Sequence, residues 1–333
     1  MHGGWRVAAL ATAGLLLGSL TAGCEQPAAG ARPAPSVSSS LLASPAAADA
    51  VTVAADFPPP IVRPPVRLPR PPRPKLPDGT RRLLPGHRVV AFYGAAGAPV
   101  LGVLGTGSPE TVWPRLARQA RAYRTHDRAV LPAYELIAYV ATGGPGDHHT
   151  YATRVPDATI DRYARAAKRH HALLILDIQP GLGSFRADAK TLRPWLRLPY
   201  VGLALDPEWK LYGAERPLQH IGHTYASEVN AVSRWLNRLT TARRLPQKLL
   251  LVHEFTDDMV RHKDRVAERK RLATVFNVDG FGGRAAKVGK YREFAAGRRT
   301  PLGFKLFYDA DLALLSPRAV LRLHPAPVVV EYQ

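Results

Sequence analysis

Eight short apolar runs between residues 88 and 332 limit the fold of this chain more than any other feature. They are RVVAFYG (88–94), AYELIAYVA (133–141), LLILDIQ (173–179), YVGLALD (200–206), KLLLVHEF (248–255), LATVFNVD (272–279), GFKLFYD (303–309) and PVVVEY (327–332). Most are continuous rather than alternating, as expected of strands covered on both faces. Between them, ETVWPRLARQARAYR, ATIDRYARAAKRHHA, ASEVNAVSRWLNRLTTARR and DDMVRHKDRVAERKR place apolar residues at helical spacing, with Arg and Lys on the opposite face. Strand followed by helix, repeated, predicts a parallel α/β sheet. Residues 87–333 match the roughly 250 residues of a single (β/α)8 barrel. A TIM-like barrel is therefore expected. An open doubly wound sheet is the alternative, but no GxGxxG follows the first run.

The segments after the runs are rich in Gly, Pro, Asp, His and aromatic residues, as in TGGPGDHHTYATRVP and DPEWKLYGAERPLQHIGHT, whereas those before them, such as ARRLPQK, are plainer. In barrels the site is built from loops at the C-terminal ends of the strands, and the asymmetry points there. Polar residues mark those ends: Asp177 and Gln179, Asp206 and Glu208, His253 and Glu254, Asn277 and Asp279, Tyr308 and Asp309. A strand-end Asp is also a common turn former or helix cap, and that reading stays open for Asp177 and Asp279. Strand alternation places Gly202, Ala204, Asp206 and Glu208 on one face and Val201, Leu203 and Leu205 on the other. The small residues suit a crowded barrel interior, so Asp206 and Glu208 are expected to point at a site. The alternative is that Asp206 caps a turn stiffened by Pro207, with Glu208 solvated.

LALDPEW resembles the fourth-strand ending of chitinase-type and muramidase-type glycosidase barrels. The resemblance implies Glu208 as general acid and Asp206 as the residue orienting a substrate acetamido group. LFYD resembles the Tyr-Asp pair that steadies the charged intermediate, implying Tyr308 and Asp309. Val201 and Ala204 stand where the chitinase pattern carries two further Asp residues. More broadly, the chain resembles an uncharacterised family of actinobacterial lipoproteins with a glycosidase-like barrel. Glu254 is a further catalytic candidate. Tyr93, Asp177, Gln179, Trp209 and Asp279 are candidates for substrate binding, with Tyr212 as another aromatic platform.

The N-terminus opens with Arg6 and an apolar stretch from Val7 to Leu20, the pattern of a signal peptide. LTAGC resembles a bacterial lipobox, implying lipid attachment at Cys24, the sole cysteine. An ordinary signal peptide with an incidental Cys is the alternative. Residues 1–23 are thus expected to be a signal segment and residues 24–86 a disordered Pro/Ala/Arg-rich stalk. Between Ile61 and Arg88, eight Arg/Lys face one Asp, so this stretch holds +7 of the net +20. Such charge suits anionic lipid or wall polymer. No aromatic residues interleave with it, so nucleic acid is not an expected partner. The expected location is extracytoplasmic and lipid-anchored to the cell membrane, as a monomer.

Other chemistries lack their motifs: there is no GxSxG elbow, no P-loop and no HExxH. Asp147-His148-His149, His220-x-x-His223 and His253 have no diagnostic metal spacing, and no metal or other cofactor is expected. Two functional readings remain. One is a glycoside hydrolase acting on cell-wall or extracellular glycan through strand-end carboxylates. The other is a non-catalytic barrel that binds glycan or a partner. A last expectation concerns Glu135 and Lys305, both mid-strand. A charge there is costly unless paired, so the two are expected to meet across the interior, directly or through one polar group.

Overall fold

The computed structural model describes residues 72–333. The expected signal segment, Cys24 and the stalk up to residue 71 lie outside the described residues. Each apolar run forms a strand: β1 His87–Gly94, β2 Ala129–Ala141, β3 Leu173–Ile178, β4 Val201–Leu205, β5 Lys248–Glu254, β6 Leu272–Val278, β7 Leu302–Leu306 and β8 Val329–Tyr332. Each pairs in parallel with the next, and β8 pairs with β1 to close the ring. This is a TIM barrel, and the open-sheet alternative fails on the β1–β8 pairing.

Helices α1 Pro109–Arg121, α2 Asp157–Arg169, α3 Phe185–Thr191, α4 Arg193–Leu196, α5 Ala226–Ala242, α6 Arg284–Ala295 and α7 Pro317–Leu321 connect the strands. Ser108 starts α1 by accepting from Thr111 N, with Pro109 at the first helical position. The connection from β5 to β6 departs from expectation. DDMVRHKDRVAERKR forms no α-helix, only single 3-10 turns at Asp257–Met259 and Lys263–Arg265. Between them, Val260–Arg261 pairs in parallel with Thr224–Tyr225. Of this segment only Met259 and Val260 are buried, too little apolar surface to hold a helix on the barrel.

Strand alternation separates two cores. Val90, Phe92, Leu174, Leu176, Leu203, Leu205, Leu250 and Val252 face the helices. Val89, Ala91, Leu131, Ala133, Leu173, Ile175, Ala204, Leu249, Leu251, Ala273, Val275 and Val329 fill the lower interior. Leu76 and Leu83 join this inner cluster from outside the strands. Residues 72–86 thus belong to the barrel rather than to a stalk. They cross its N-terminal end, and Gln247 Oε1 accepts from Leu83 N at 2.9 Å and Leu84 N at 3.0 Å. Arg81 donates to Arg244 O and Leu245 O. The Pro-rich composition conceals this role because Leu76, Leu83 and Leu84 are scattered among prolines and charged residues with no strand or helix period.

Candidate active site

Above the apolar floor, the interior turns polar on every strand. Tyr93 comes from β1, Glu135 from β2 and Asp177 from β3, with Gln179 just beyond. Asp206 follows β4, His253 lies on β5, Asn277 on β6 with Asp279 beyond, Lys305 on β7 and Glu331 on β8. All of these are buried except Asp279, which is partly exposed at the mouth. The parallel register sets the side chains beside one another, with Tyr93 opposite Glu135, His253 opposite Asn277 and Lys305 opposite Glu331.

The hydrogen bonds form two linked halves. In one, Tyr93 donates its hydroxyl to Asp177 Oδ2 at 3.2 Å and lies 3.5 Å from Asp206 Oδ2. Gln179 Nε2 donates to the Tyr93 hydroxyl at 3.1 Å and lies 3.4 Å from Asp206 Oδ2. Gln179 is itself held by Ala141 N, which donates to its Oε1 at 3.0 Å. In the other half, His253 Nδ1 is 2.9 Å from Asp279 Oδ2, and its Nε2 is 3.1 Å from Glu135 Oε1. Asn277 Nδ2 donates to Asp279 Oδ1 at 2.8 Å and to Glu331. Lys305 Nζ lies 3.1 Å from Glu331 Oε1 and 3.4 Å from Asp279 Oδ2.

Five carboxyl groups, and Glu208 in the turn after Asp206 as a sixth, therefore crowd against two cationic side chains, and the pKa shifts follow. Burial, then the neighbouring Asp206 carboxylate, pushes Asp177 up to about 8. The same two causes push Glu208 up to about 8. Burial and Glu135 hold Glu331 well above the carboxylate range. Burial also raises Asp206. Burial pulls against the charge of His253, but Asp279 and Glu331 outweigh it and hold the imidazole well above its ordinary range. For Lys305 burial is likewise overcome by Asp279 and Glu331, which raise it. Burial, Asp177 and Asp206 raise the Tyr93 phenol, so it keeps its proton and donates.

Asp206 does not cap the following turn: its side chain makes no capping bond to the 3-10 turn Pro207–Trp209 and accepts from Tyr93 and Gln179 instead. Glu208 sits in that turn, half-buried, within the field of Asp206, Lys305, Asp279 and His253. Trp209 is half-exposed beside it. Asp177 and Asp279 are likewise interior acceptors rather than caps.

Three catalytic candidates lie elsewhere. Glu254 follows the inward His253, so alternation turns it out of the barrel, where it pairs with Arg298 and with Lys263 at 3.1 Å. β7 ends at Leu306, and the chain then turns, so alternation no longer carries Asp309 to the site; Asp309 is exposed. Tyr308 packs outside the strands, stacked on Tyr332 with ring centroids 5.2 Å apart and covered by the Arg115 guanidinium at 4.3 Å. Tyr212 points its hydroxyl at Glu228, 3.2 Å away. The loop histidines do not converge: His148, His149 and His220 are exposed, and Asp147 instead accepts from Arg154 N.

Glu135 and Lys305 both face inward and both are buried, but two groups intervene rather than one. The chain of contacts runs from Glu135 through His253 to Asp279 and then to Lys305. Sequence reasoning left Glu331 out of the site. Its signal was present, a lone carboxylate closing the apolar run VVVEY. Fold and site together define a (β/α)8 barrel whose strand ends carry a buried, carboxylate-rich polar cluster on the C-terminal face. Comparison of the chain with protein-family models and with curated proteins finds no match. Among the described residues, no helix is long and apolar enough to cross a membrane.

Proposed function

We propose that the protein is a glycoside hydrolase-like barrel, held at the cell surface through Cys24, that acts on cell-wall or extracellular glycan. The observation that carries this reading is the pair Asp206 and Glu208 just past the end of β4, with Asp206 buried and held by Tyr93 and Gln179; burial and the Asp206 carboxylate raise Glu208 to about 8. Glycoside cleavage needs one carboxyl that is still protonated at neutral pH to donate to the leaving oxygen, and a second anionic group to stabilise the oxocarbenium-like charge. Glu208 suits the first role. Asp206, steadied by Tyr93 and Gln179, suits the second. Trp209 offers a half-exposed aromatic surface beside them for a sugar ring.

The second reading, a non-catalytic glycan- or partner-binding barrel, draws support from Val201 and Ala204, which stand where the chitinase pattern has acidic residues. The test is to incubate the full-length protein with peptidoglycan and a panel of glycans and to analyse released sugars by mass spectrometry. Release that disappears in Glu208→Gln supports the hydrolase. Binding without release supports the second reading.

A further inference from the structure

Unpartnered buried atoms remain in both halves of the polar cluster, Asn277 Oδ1 and Glu331 Oε1 in one and Glu135 Oε2 and Asp177 Oδ1 in the other, but only the first of these holds a lysine. Around Asp279 and Glu331, the Lys305 ammonium and the Asn277 amide supply donors. Around Glu135 and Asp177 they do not. Glu135 Oε2 and Asp177 Oδ1 are fully buried and have no hydrogen-bond partner, although both residues are wholly buried side chains. A buried carboxylate oxygen without a partner is costly, and two of them in one pocket compound the cost by repulsion. One ligand atom from each of Glu135, Asp177 and His253 lies within 4.8 Å of the others.

His253 is also oriented for more than an ion pair. Its Nδ1 faces Asp279 Oδ2 at 2.9 Å, which fixes the ring and leaves Nε2 directed at Glu135, 3.1 Å from Oε1. A carboxylate on the far nitrogen is the usual support of a metal-bound imidazole. Metal bonds to His and carboxylate of about 2.0–2.2 Å place neighbouring ligand atoms roughly 3–3.5 Å apart. The Nε2–Oε1 separation falls in that interval.

We propose that Glu135, Asp177 and His253 bind one divalent transition-metal ion of the Zn2+ or Mn2+ kind, with Asp279 as the positioning residue behind His253. One imidazole nitrogen with two carboxylates is a donor set suited to these ions. Binding displaces the Nε2 proton of His253 to solvent and gives the Glu135 and Asp177 carboxylates a cation of their own. The companion group, His253, Asp279 and Glu331, is a poorer site because the Lys305 ammonium already occupies that role. The proposal does not depend on the glycan reading.

The test uses full-length protein stripped with chelator, dialysed against Zn2+ or Mn2+ and analysed for bound metal by mass spectrometry. One equivalent is expected for at least one ion. Asp177→Asn should abolish it, Asp279→Asn should weaken it about tenfold or more, and Asp264→Asn, an exposed residue away from the cluster, should leave it intact. Anomalous scattering from crystals of the loaded wild type locates the ion even where Asp177→Asn does not fold. An anomalous peak between Glu135, Asp177 and His253 supports the proposal. No bound metal with either ion, binding undiminished in a folded Asp177→Asn, or a peak elsewhere overturns it.

Discussion

The ammonium of Lys305 stands 3.6 Å from the ring centroid of Tyr93, inside the barrel and out of water. The same ammonium reaches Glu331 and Asp279, so one cation compensates two carboxylates and a phenol face. Removing one partner of a buried ion pair costs about 3–5 kcal/mol, mostly because the other charge is stranded. Lys305→Met should therefore lower unfolding stability by about that amount. Glu331→Gln combined with Lys305→Met should cost less than the sum of the single changes. Denaturant unfolding of the four proteins checks both statements, and additive losses would remove the coupling.

Glu208 carries a pH prediction. Its folded pKa is raised from 4.5 to about 8. Between those values the folded protein holds a proton that the unfolded chain has released. Stability conferred by this group is thus complete below the lower value and declines as pH rises toward about 8. Glu208→Gln should flatten that part of the stability profile while abolishing sugar release. In the wild type, sugar release should fall as pH rises through about 8, where the acid loses its proton. A hydrolase activity that survives Glu208→Gln would remove this residue as the acid.

Gly303 is a steric control on the site. A Cβ there would lie 2.2 Å from Asn277 Oδ1 and 3.1 Å from Val329 Cβ. Gly303→Ala must push Asn277 off Asp279 and Glu331, so it should disturb the cluster without touching any charge. A destabilisation of about 1–3 kcal/mol is expected from such overpacking. A crystal structure of the variant with Asn277 unmoved would contradict it.

The floor of the barrel gives a second stability test. Leu83 is 1% exposed and packs with the interior apolar cluster. Leu83→Ala should cost about 2–5 kcal/mol in unfolding stability. Proteins trimmed to begin at residue 87 should lose more, since they also forfeit the Gln247 and Arg81 hydrogen bonds. Equal melting temperatures for trimmed and full-length protein would show that residues 72–86 contribute nothing.

For the proposed anchor, Cys24→Ser should leave the precursor unprocessed or release it from the membrane fraction. Immunoblots of fractionated cells read this directly, and a processed, membrane-bound variant would exclude lipid attachment at Cys24.

The strands were legible because their physics is local: continuous β-branched and aromatic runs such as RVVAFYG admit few other folds. The inward placement of Glu135 and Lys305, and of Asp206 one residue past β4, is also legible, since alternation holds along a strand. It fails once the strand stops. Asp309 is implied by the resemblance of LFYD and by a run that extends to residue 309, but β7 ends at Leu306 and the chain then turns. Glu254 was placed by its position at a strand end, although the inward His253 beside it already implied an outward side chain. The halves of the cluster could not be assigned from sequence, because which carboxylate meets Lys305 depends on register between strands far apart in the chain. The floor segment escaped notice for a similar reason: Leu76 and Leu83 acquire meaning only from the leucines they meet.

That floor segment also gives the molecule a direction. Residues 72–86 close the N-terminal end of the barrel through Leu76, Leu83 and Arg81, while Glu208 and Asp279 lie at the opposite end. One end of the interior is therefore stoppered by leucines and the other lined by ionisable groups, so the barrel has a dry end and a polar end.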